Sequence, residues 1–351
     1  MKEIEKVLND VLIERSDEIR MLLIGVLCSE NPLLVGPPGT AKSMLIDSFS
    51  KLMAGDFKVF SILLTKFSTP EDLFGPLSIQ GLKEGKYFRI TTGKLPEANI
   101  AFIDEIFKAS PAILNTLLKI LNERTFDTGE KIIKCPLLVA MAASNEWPAA
   151  EELGALFDRF LLRKTVYPLT RLGLKQLLSR KEFSIDSDTK ITITQLKEAR
   201  RKASSVAFSD DMIEFYESLI IECRKNGIFP SDRRIRKTLQ VIKANACLNG
   251  RDEVTPEDME ICKFCLWNDP AQEAECHKLI QSKTNPTSLE ISAIVSKAIT
   301  ALDMEPEKAI SVLKECQEKL ERHKHILYAK KSQDWITQAL KQAYKKYIGV
   351  R

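Results

Sequence analysis

Several absences narrow what this chain of 351 residues can be. No apolar run is long enough for a bilayer: Met21 to Cys28 falls far short of the roughly 20 residues that a spanning helix needs. The N-terminus is charged, and nothing there reads as a secretory signal, so a cytoplasmic protein is expected. Excess charge is small, +4 from 52 basic and 48 acidic residues, which argues against a dedicated nucleic-acid binder. Repeats and low-complexity tracts are missing. The eight cysteines are scattered and fit reduced thiols better than a disulfide framework. Cys262-Lys263-Phe264-Cys265 followed by Cys276-His277 could be read as a zinc site. The spacing fits no familiar zinc module, and the surroundings read as helix, where cysteine packs as a small hydrophobe. What remains is ordinary globular composition, 44% hydrophobic and 28% charged, in a length sufficient for two or three domains.

One segment stands out. Leu33-Leu34-Val35 feed a Gly-rich turn, Gly36-Pro37-Pro38-Gly39-Thr40-Ala41-Lys42-Ser43, which opens a helix expected over Met44 to Met53. A turn of this kind surrounds phosphates with backbone N–H groups and a helix N-terminus. Lys42 would reach the β/γ-phosphates and the Ser43 hydroxyl would ligate Mg²⁺. The motif asks for glycine directly before the lysine, and here Ala41 stands there; close backbone approach is still expected if its φ is negative.

A second segment supplies the other half of a nucleotide site. Asn99-Ile100-Ala101-Phe102-Ile103-Asp104-Glu105 reads as a buried strand ending in two carboxylates. Central strands of a parallel sheet end beside the phosphate loop. Asp104 would hold the Mg²⁺ shell and Glu105 would polarise the attacking water. Together the two segments describe an ATPase site.

Around them the chain alternates apolar runs with helical stretches. An amphipathic helix is expected over 17–29, with Ser16 as N-cap and Ile19, Leu22, Leu23 and Val26 on one face. Strands are expected near 58–65, 137–144 and 161–168, and a helix near 106–122. Strand–helix alternation implies a parallel sheet covered on both faces. From about 170 the pattern is helical only, with Thr194, Ser209 and Thr255-Pro256-Glu257-Asp258 as start signals. Gln281 to Thr287 reads as a linker, followed by helices near 289–302, 305–328 and 332–348. The expected domains are therefore an α/β nucleotide-binding domain over 1–170, a helical lid over 171–275 and a C-terminal helical extension over 276–351. Two glycine-rich insertions suggest hairpins, one pairing Leu77-Ser78-Ile79 with Tyr87-Phe88-Arg89-Ile90, the other over Arg124 to Ile133 with Thr128-Gly129 near its turn.

These motifs resemble the MoxR-type AAA+ ATPases, most nearly the regulatory ATPase variant A (RavA) branch, over roughly residues 1–275. The resemblance rests on the Gly36–Ser43 loop, whose Ala41 is usual in that family, and on Glu71-Asp72-Leu73-Phe74-Gly75. It continues through Ile103-Asp104-Glu105-Ile106-Phe107-Lys108-Ala109, Leu121-Asn122-Glu123-Arg124 and Ala143-Ser144-Asn145-Glu146. Leu156-Phe157-Asp158-Arg159-Phe160 and Ser231-Asp232-Arg233-Arg234 complete the series in order. The resemblance implies a P-loop NTPase core with a helical lid, usually hexameric, with ATP and Mg²⁺ as ligands and the two hairpins as family insertions. It further implies that Asn145 is sensor 1, that Arg159 is an arginine finger given to a neighbouring subunit, and that Arg233 is sensor 2 with Arg234 as a competitor. Arg163 could assist in trans. Preplaced cations of this kind stabilise charge on a transferring phosphoryl group.

RavA-like chains continue through a small β domain, and no β-rich segment precedes Arg351 here. The leading expectation is an ATP-driven remodeller of a protein partner, typically one with a von Willebrand factor A domain. A nucleic-acid motor is the rival, favoured by Arg322-His323-Lys324-His325, Lys330-Lys331 and Lys345-Lys346. Glutamate and glutamine interleaved at helical spacing suit a solvated face better, and no DNA-binding module is recognisable. A nucleotide-gated assembly scaffold would need the same site as a remodeller.

Overall fold

Short apolar runs between glycine, proline and polar clusters become strands, and in the computed structural model five of them align in one parallel sheet. The structure describes residues 1–147, 159–180, 185, 188–302 and 304–322, with scattered positions between 333 and 347. In chain order the strands are β1 (Pro32–Val35), β2 (Met53–Ala54), β3 (Val59–Leu63), β4 (Ile100–Asp104), β5 (Thr125–Asp127), β6 (Ile132–Lys134), β7 (Val139–Ser144), β8 (Leu162–Thr165) and β9 (Ile191–Thr192). The main sheet has the order β3-β4-β7-β1-β8. All its neighbours are parallel, with Ile103 opposite Ala142, and Val35 opposite both Ser144 and Thr165. This register brings Gly36, Asp104-Glu105 and Asn145 out at the same edge, where β1, β4 and β7 end. The strands β1 and β7 are buried throughout, as strands covered on both faces must be.

Helix α1 (Lys2–Val11) and α2 (Ser16–Cys28) precede β1, and α3 (Lys42–Lys51) follows the phosphate-loop turn. Ile19, Met21, Leu22, Leu23, Ile24 and Val26 of α2 are all buried. The expected one-sided stripe is thus buried nearly all round, because helices Ile193–Ser205 and Asp232–Asn249 pack on the side that the sheet leaves open. Ser16 begins α2 rather than capping it: its hydroxyl donates to Asn9 Oδ1 at 2.6 Å. Thr192, not Thr194, caps Ile193–Ser205, in a reciprocal capping box with Gln195. Ser209 and Thr255 stand at the N-caps expected of them, before helix Asp210–Lys225 and the 3-10 helix Pro256–Phe264.

The insertions differ. Strands β5 and β6 form the expected antiparallel hairpin. In the first insertion Leu77 bridges Arg89 antiparallel, but Ile79–Lys83 is a helical turn (α5) after α4 (Pro70–Phe74), its start capped by the Ser78 hydroxyl. The two insertions join through Arg89 N–H donating to Thr128 O at 2.9 Å. Helix α6 (Pro111–Glu123) starts at a proline in its first turn, after the 3-10 turn Ile106–Lys108, which shortens the expected 106–122 helix.

Two compact units result, Met1–Cys276 and His277–Arg351. The expected linker is contradicted: Glu273–Thr284 is helical, and only Asn285 stands before helix Pro286–Ala301. In the second unit this helix and Pro306–Glu321 share an apolar core that includes Ile291, Ala298, Leu313, Cys316 and Leu320. His323-Lys324-His325, Lys330-Lys331 and Lys345-Lys346 lie outside the described residues. No helix of the described residues is long and apolar enough to cross a membrane.

A single buried amide ties the start of β1 to its neighbours. Asn31 Oδ1 accepts from Ala140 N at 3.0 Å and from Arg124 Nη2 at 3.2 Å, while Nδ2 donates to Leu121 O at 3.2 Å. Asn31→Ala leaves the Ala140 N–H buried without a partner, so stability should fall by about 1–3 kcal/mol. Urea denaturation reads this as a lower midpoint at unchanged slope; an unshifted midpoint would rule the tie out as a stabilising contact.

Candidate active site

The turn after β1 is built by two glycines for two different reasons. A Cβ on Gly36 would stand 2.1 Å from Val166 O, so no side chain fits between β1 and the end of β8. Gly39 has open space around it, but its φ of +77° is one that L side chains rarely adopt. Ala41 has a φ of +64°. The condition of a negative φ is not met: the alanine holds the left-handed turn that glycine would take without strain, at a cost of roughly 1–2 kcal/mol. Helix α3 begins at once, and no side chain caps its N-terminus. A helix start of this kind suits an anion.

Lys42 is buried, and its ammonium donates back into its own loop, to Gly36 O at 2.6 Å and Pro37 O at 3.0 Å, with Thr40 Oγ1 and Asn145 Oδ1 at 3.5 and 3.4 Å. Burial pulls its pKa below the usual lysine range; Asp104 and Glu105 oppose that shift, and Arg15 adds to it. Asp104 accepts from Glu105 N at 2.9 Å. Glu105 is buried with a φ of +55°, held by Asn145 Nδ2 donating to its carboxylate and by Lys108 Nζ at 3.4 Å. Left-handed geometry at a non-glycine residue persists only where neighbours over-determine it.

These groups face a cavity of about 570 Å³. Pro38, Gly39, Thr40, Ala41, Lys42, Ser43, Met44, Asp104, Glu105 and Asn145 line it, with Leu63. Apolar lining comes from Val11 at the end of α1, from Leu12 and Ile13 after it, and from Leu169 and Leu177 before and within helix Arg171–Ser179. Arg15 also lines it, and motif reasoning missed this residue. Its Nε donates to Thr40 O at 2.9 Å and its Nη2 to Tyr167 O at 2.9 Å, contacts across 25 and 152 residues that no local pattern announces. The hydroxyl of Ser43 and the carboxylate of Asp104 are hard oxygen donors of the kind that hold Mg²⁺ together with phosphates.

The expected arginines lie elsewhere. Lys237, one turn into Asp232–Asn249, pairs with Glu30 at 2.8 Å just before β1, while Asn245 and Asn249 meet Arg20 in the first half of α2. That helix therefore starts at the sheet edge opposite the phosphate loop. Arg233 donates there to Asn122 Oδ1 at 3.0 Å, and Arg234 is buried on the carbonyls of Cys265 and Trp267. Neither lines the cavity of its own chain, where sensor 2 was expected to reach the phosphates. Arg163 is wholly buried, its guanidinium 4.4 Å from the Trp267 ring centroid and donating to Trp267 O, and so is closed to any neighbour. Arg159 lies half-buried in a turn before β8 and does not line the cavity; Leu156, Phe157 and Asp158 are outside the described residues. The cysteines Cys223, Cys262, Cys265 and Cys276 are all buried, and burial pushes the Cys262 thiol well up.

Comparison with known proteins fits this geometry. A profile described as the MoxR domain in the MoxR-vWA-beta-propeller ternary systems matches residues 1–203, and an AAA lid domain profile matches 193–280. The chain belongs to the MoxR family of AAA ATPases. It is similar to an uncharacterized protein of Methanocaldococcus jannaschii, 39% identical over 77% of this chain and 70% of that one. It is also similar to the chaperone MoxR1 of Mycobacterium tuberculosis, 30% identical over 45% and 42% of the two chains. A solved structure of a candidate ATPase from Cytophaga hutchinsonii shares the fold, with a TM-score of 0.64 at 22% identity over 80% of this chain and 92% of that one. A MoxR membership accounts for the sheet order and for a nucleotide-binding loop after β1.

The buried ammonium gives the site a pH signature. Lys42 must be charged to meet phosphate, and its pKa lies below the ordinary lysine value. Nucleotide affinity should therefore weaken with rising pH earlier than an ordinary lysine, at about 10.4, would allow. Stability of the empty protein runs the other way: the unfolded chain binds more protons between the two pKa values, so stability rises with pH there. Titrating affinity against pH for the parent and for Lys42→Arg, which stays charged, checks this. Parallel profiles would show that Lys42 is not the group that titrates.

Proposed function

We propose that this MoxR-family chain hydrolyses ATP with Mg²⁺ and couples the cycle to remodelling of a protein partner, assembled as a ring, a hexamer as the family resemblance implies. One observation carries the chemistry: Lys42, Ser43, Asp104, Glu105 and Asn145 converge on one cavity that Val11, Leu12, Ile13, Leu169 and Leu177 also line. The polar lining suits a triphosphate and the apolar lining a purine. Mg²⁺ held by Ser43 and Asp104 would neutralise charge on the β- and γ-phosphates. Lys42 turns from its loop carbonyls to the phosphates, Asn145 orients the water and the γ-phosphate, and Glu105 accepts the water's proton.

The profile for MoxR-vWA-beta-propeller systems supports a partner with a von Willebrand factor A domain. It draws the chain towards those systems rather than towards RavA, whose motif series first suggested that branch. The chaperone description of the mycobacterial relative supports a protein as the substrate.

The position of Arg159 supports a shared site. Parallel pairing puts the start of β8 at the opposite edge from the phosphate loop. The six residue steps from Arg159 to Thr165 extend up to about 20 Å at roughly 3.3 Å per residue. From there its guanidinium serves the pocket of the next subunit better than its own.

Glu105→Gln should retain ATP binding and slow turnover by roughly 10²–10⁴-fold, whereas Lys42→Ala should lose binding too. Parental turnover in Glu105→Gln would remove the assignment.

Mixing is the second test. Arg159→Ala alone should lose on the order of 10³–10⁵ in rate where it is the main charge stabiliser. Combined with Lys42→Ala subunits it should regain part of the activity, because some interfaces then pair an intact pocket with an intact arginine. Steady-state ATPase with sedimentation of the mixture reads this; mixed oligomers without activity would put Arg159 outside the shared site.

A further inference from the structure

The helix that brings Leu177 to the cavity is tied to the rest of the chain at both ends. Leu174, Leu177 and Leu178 of Arg171–Ser179 are 48%, 38% and 78% exposed, and Gly173 is the buried residue among the helix's described side chains. Among the described side chains little apolar surface is covered, as in the low-stability parts of a fold. At its N-terminus the Glu14 carboxylate accepts from Thr170 N at 2.8 Å, from Gly173 N at 3.1 Å and from the Thr170 hydroxyl. Just past its C-terminus Arg180 donates to Val11 O at 3.0 Å and to Asp10 O, the last carbonyls of α1. Both contacts are matched to the helix dipoles, an anion at an N-terminus and a cation at a C-terminus.

Glu14 is seated tightly. A Cβ at position 173 would lie 2.6 Å from Glu14 Cδ and 2.7 and 2.8 Å from its two carboxylate oxygens. Glycine at 173 is therefore what lets the carboxylate reach the helix amides. Glu14 itself has a φ of +54°, which turns its side chain to the helix while its neighbours Ile13 and Arg15 face the cavity. Arg15 completes the strap through Thr40 O and Tyr167 O. Glu14 alone of residues 11–15 does not line the cavity.

We propose that Glu14 is a positioning residue for the bound nucleotide: by clasping helix Arg171–Ser179 it keeps Leu169 and Leu177 against the purine and sets how long the nucleotide stays, without touching it. The inference rests on the ATP reading. Opening the clasp frees the apolar wall and leaves Lys42, Ser43, Asp104, Glu105 and Asn145 where they are, so release accelerates and the chemical step does not change.

The test uses the full chain with Mg²⁺ and ATP carrying a fluorescent ribose label, chased with unlabelled ATP. Glu14→Gln should raise the dissociation rate and KM together, by about 10-fold for the loss of a charge-assisted helix cap, with kcat at saturation within about twofold of the parent. Gly173→Ala, which keeps the carboxylate but pushes it off the helix, should do the same. The double variant should release nucleotide no faster than the more affected single, because both changes break one contact. Thermal melting checks that each variant is folded; should Glu14→Gln not fold, Gly173→Ala carries the comparison. Parental release rates in the folded variants, effects that multiply in the double variant, or a fall in kcat equal to the rise in KM would overturn the clasp. A parent that shows no saturable binding of labelled ATP would instead overturn the ATP reading beneath it.

Discussion

A buried ammonium governs the sheet edge at which β1, β4 and β7 end. Lys42 has left water for a site lined by its own loop, and charge in such a place is costly unless oxygens surround it. The carbonyls of Gly36 and Pro37 and the amide oxygen of Asn145 supply them. The rest of the edge follows from that requirement. Gly36 lacks a Cβ so that β8 can close against the turn. The turn curls through left-handed backbone at Gly39 and Ala41 to bring its carbonyls round the side chain. The carboxylates of Asp104 and Glu105 stand close enough to oppose the loss of charge that burial favours.

Two non-glycine residues with left-handed backbone flank this cation, Ala41 at the loop and Glu105 at the end of β4. Each costs roughly 1–2 kcal/mol. The strain at Glu105 is held by contacts with functional meaning: its N–H donates to Asp104, and its carboxylate meets Asn145 and Lys108. A relaxed residue would continue the strand and carry the carboxylate away from the cavity. The strained turn keeps Asp104 and Glu105, adjacent in sequence, both on the cavity.

Contiguity decided what the sequence could disclose. The phosphate loop, the Asp104-Glu105 strand end and β7 are each one run of residues whose pattern carries its meaning, and their alignment follows from parallel pairing. The Thr125–Lys134 hairpin was legible for the same reason. Ends of helices were less so: Thr192 and Thr194 are both plausible caps, and only the reciprocal bond with Gln195 separates them. The apparent linker at 281–287 is polar but helical up to Thr284, with Asn285 N donating to Gln281 O at 2.9 Å, because a polar face can be solvated without breaking. Arg15, Glu14 and the apolar wall escaped motif reasoning because their partners are 25 to 160 residues away. Arg233 and Arg163 misled it because a motif gives order along the chain, not the sheet edge at which a helix starts or the face on which a strand residue is buried.

That distinction between edges bears on how the chemistry is completed. Phosphoryl transfer needs cations around the γ-phosphate as its bond breaks. Among the described residues the cavity offers two, Lys42 and Arg15, and Arg15 is already committed to Thr40 O and Tyr167 O as a strut. The arginines that the motif series nominates stand at the other edge of the sheet or inside the core. Lys42 alone is thus a sparse complement for a developing trianionic centre, and a chain cannot turn its own opposite edge towards its own cavity. A second copy can, by presenting that edge, with Arg159 on it, to the open side of the pocket. The placement of charge within one chain therefore favours a site assembled between chains, and it does so on grounds separate from the family resemblance.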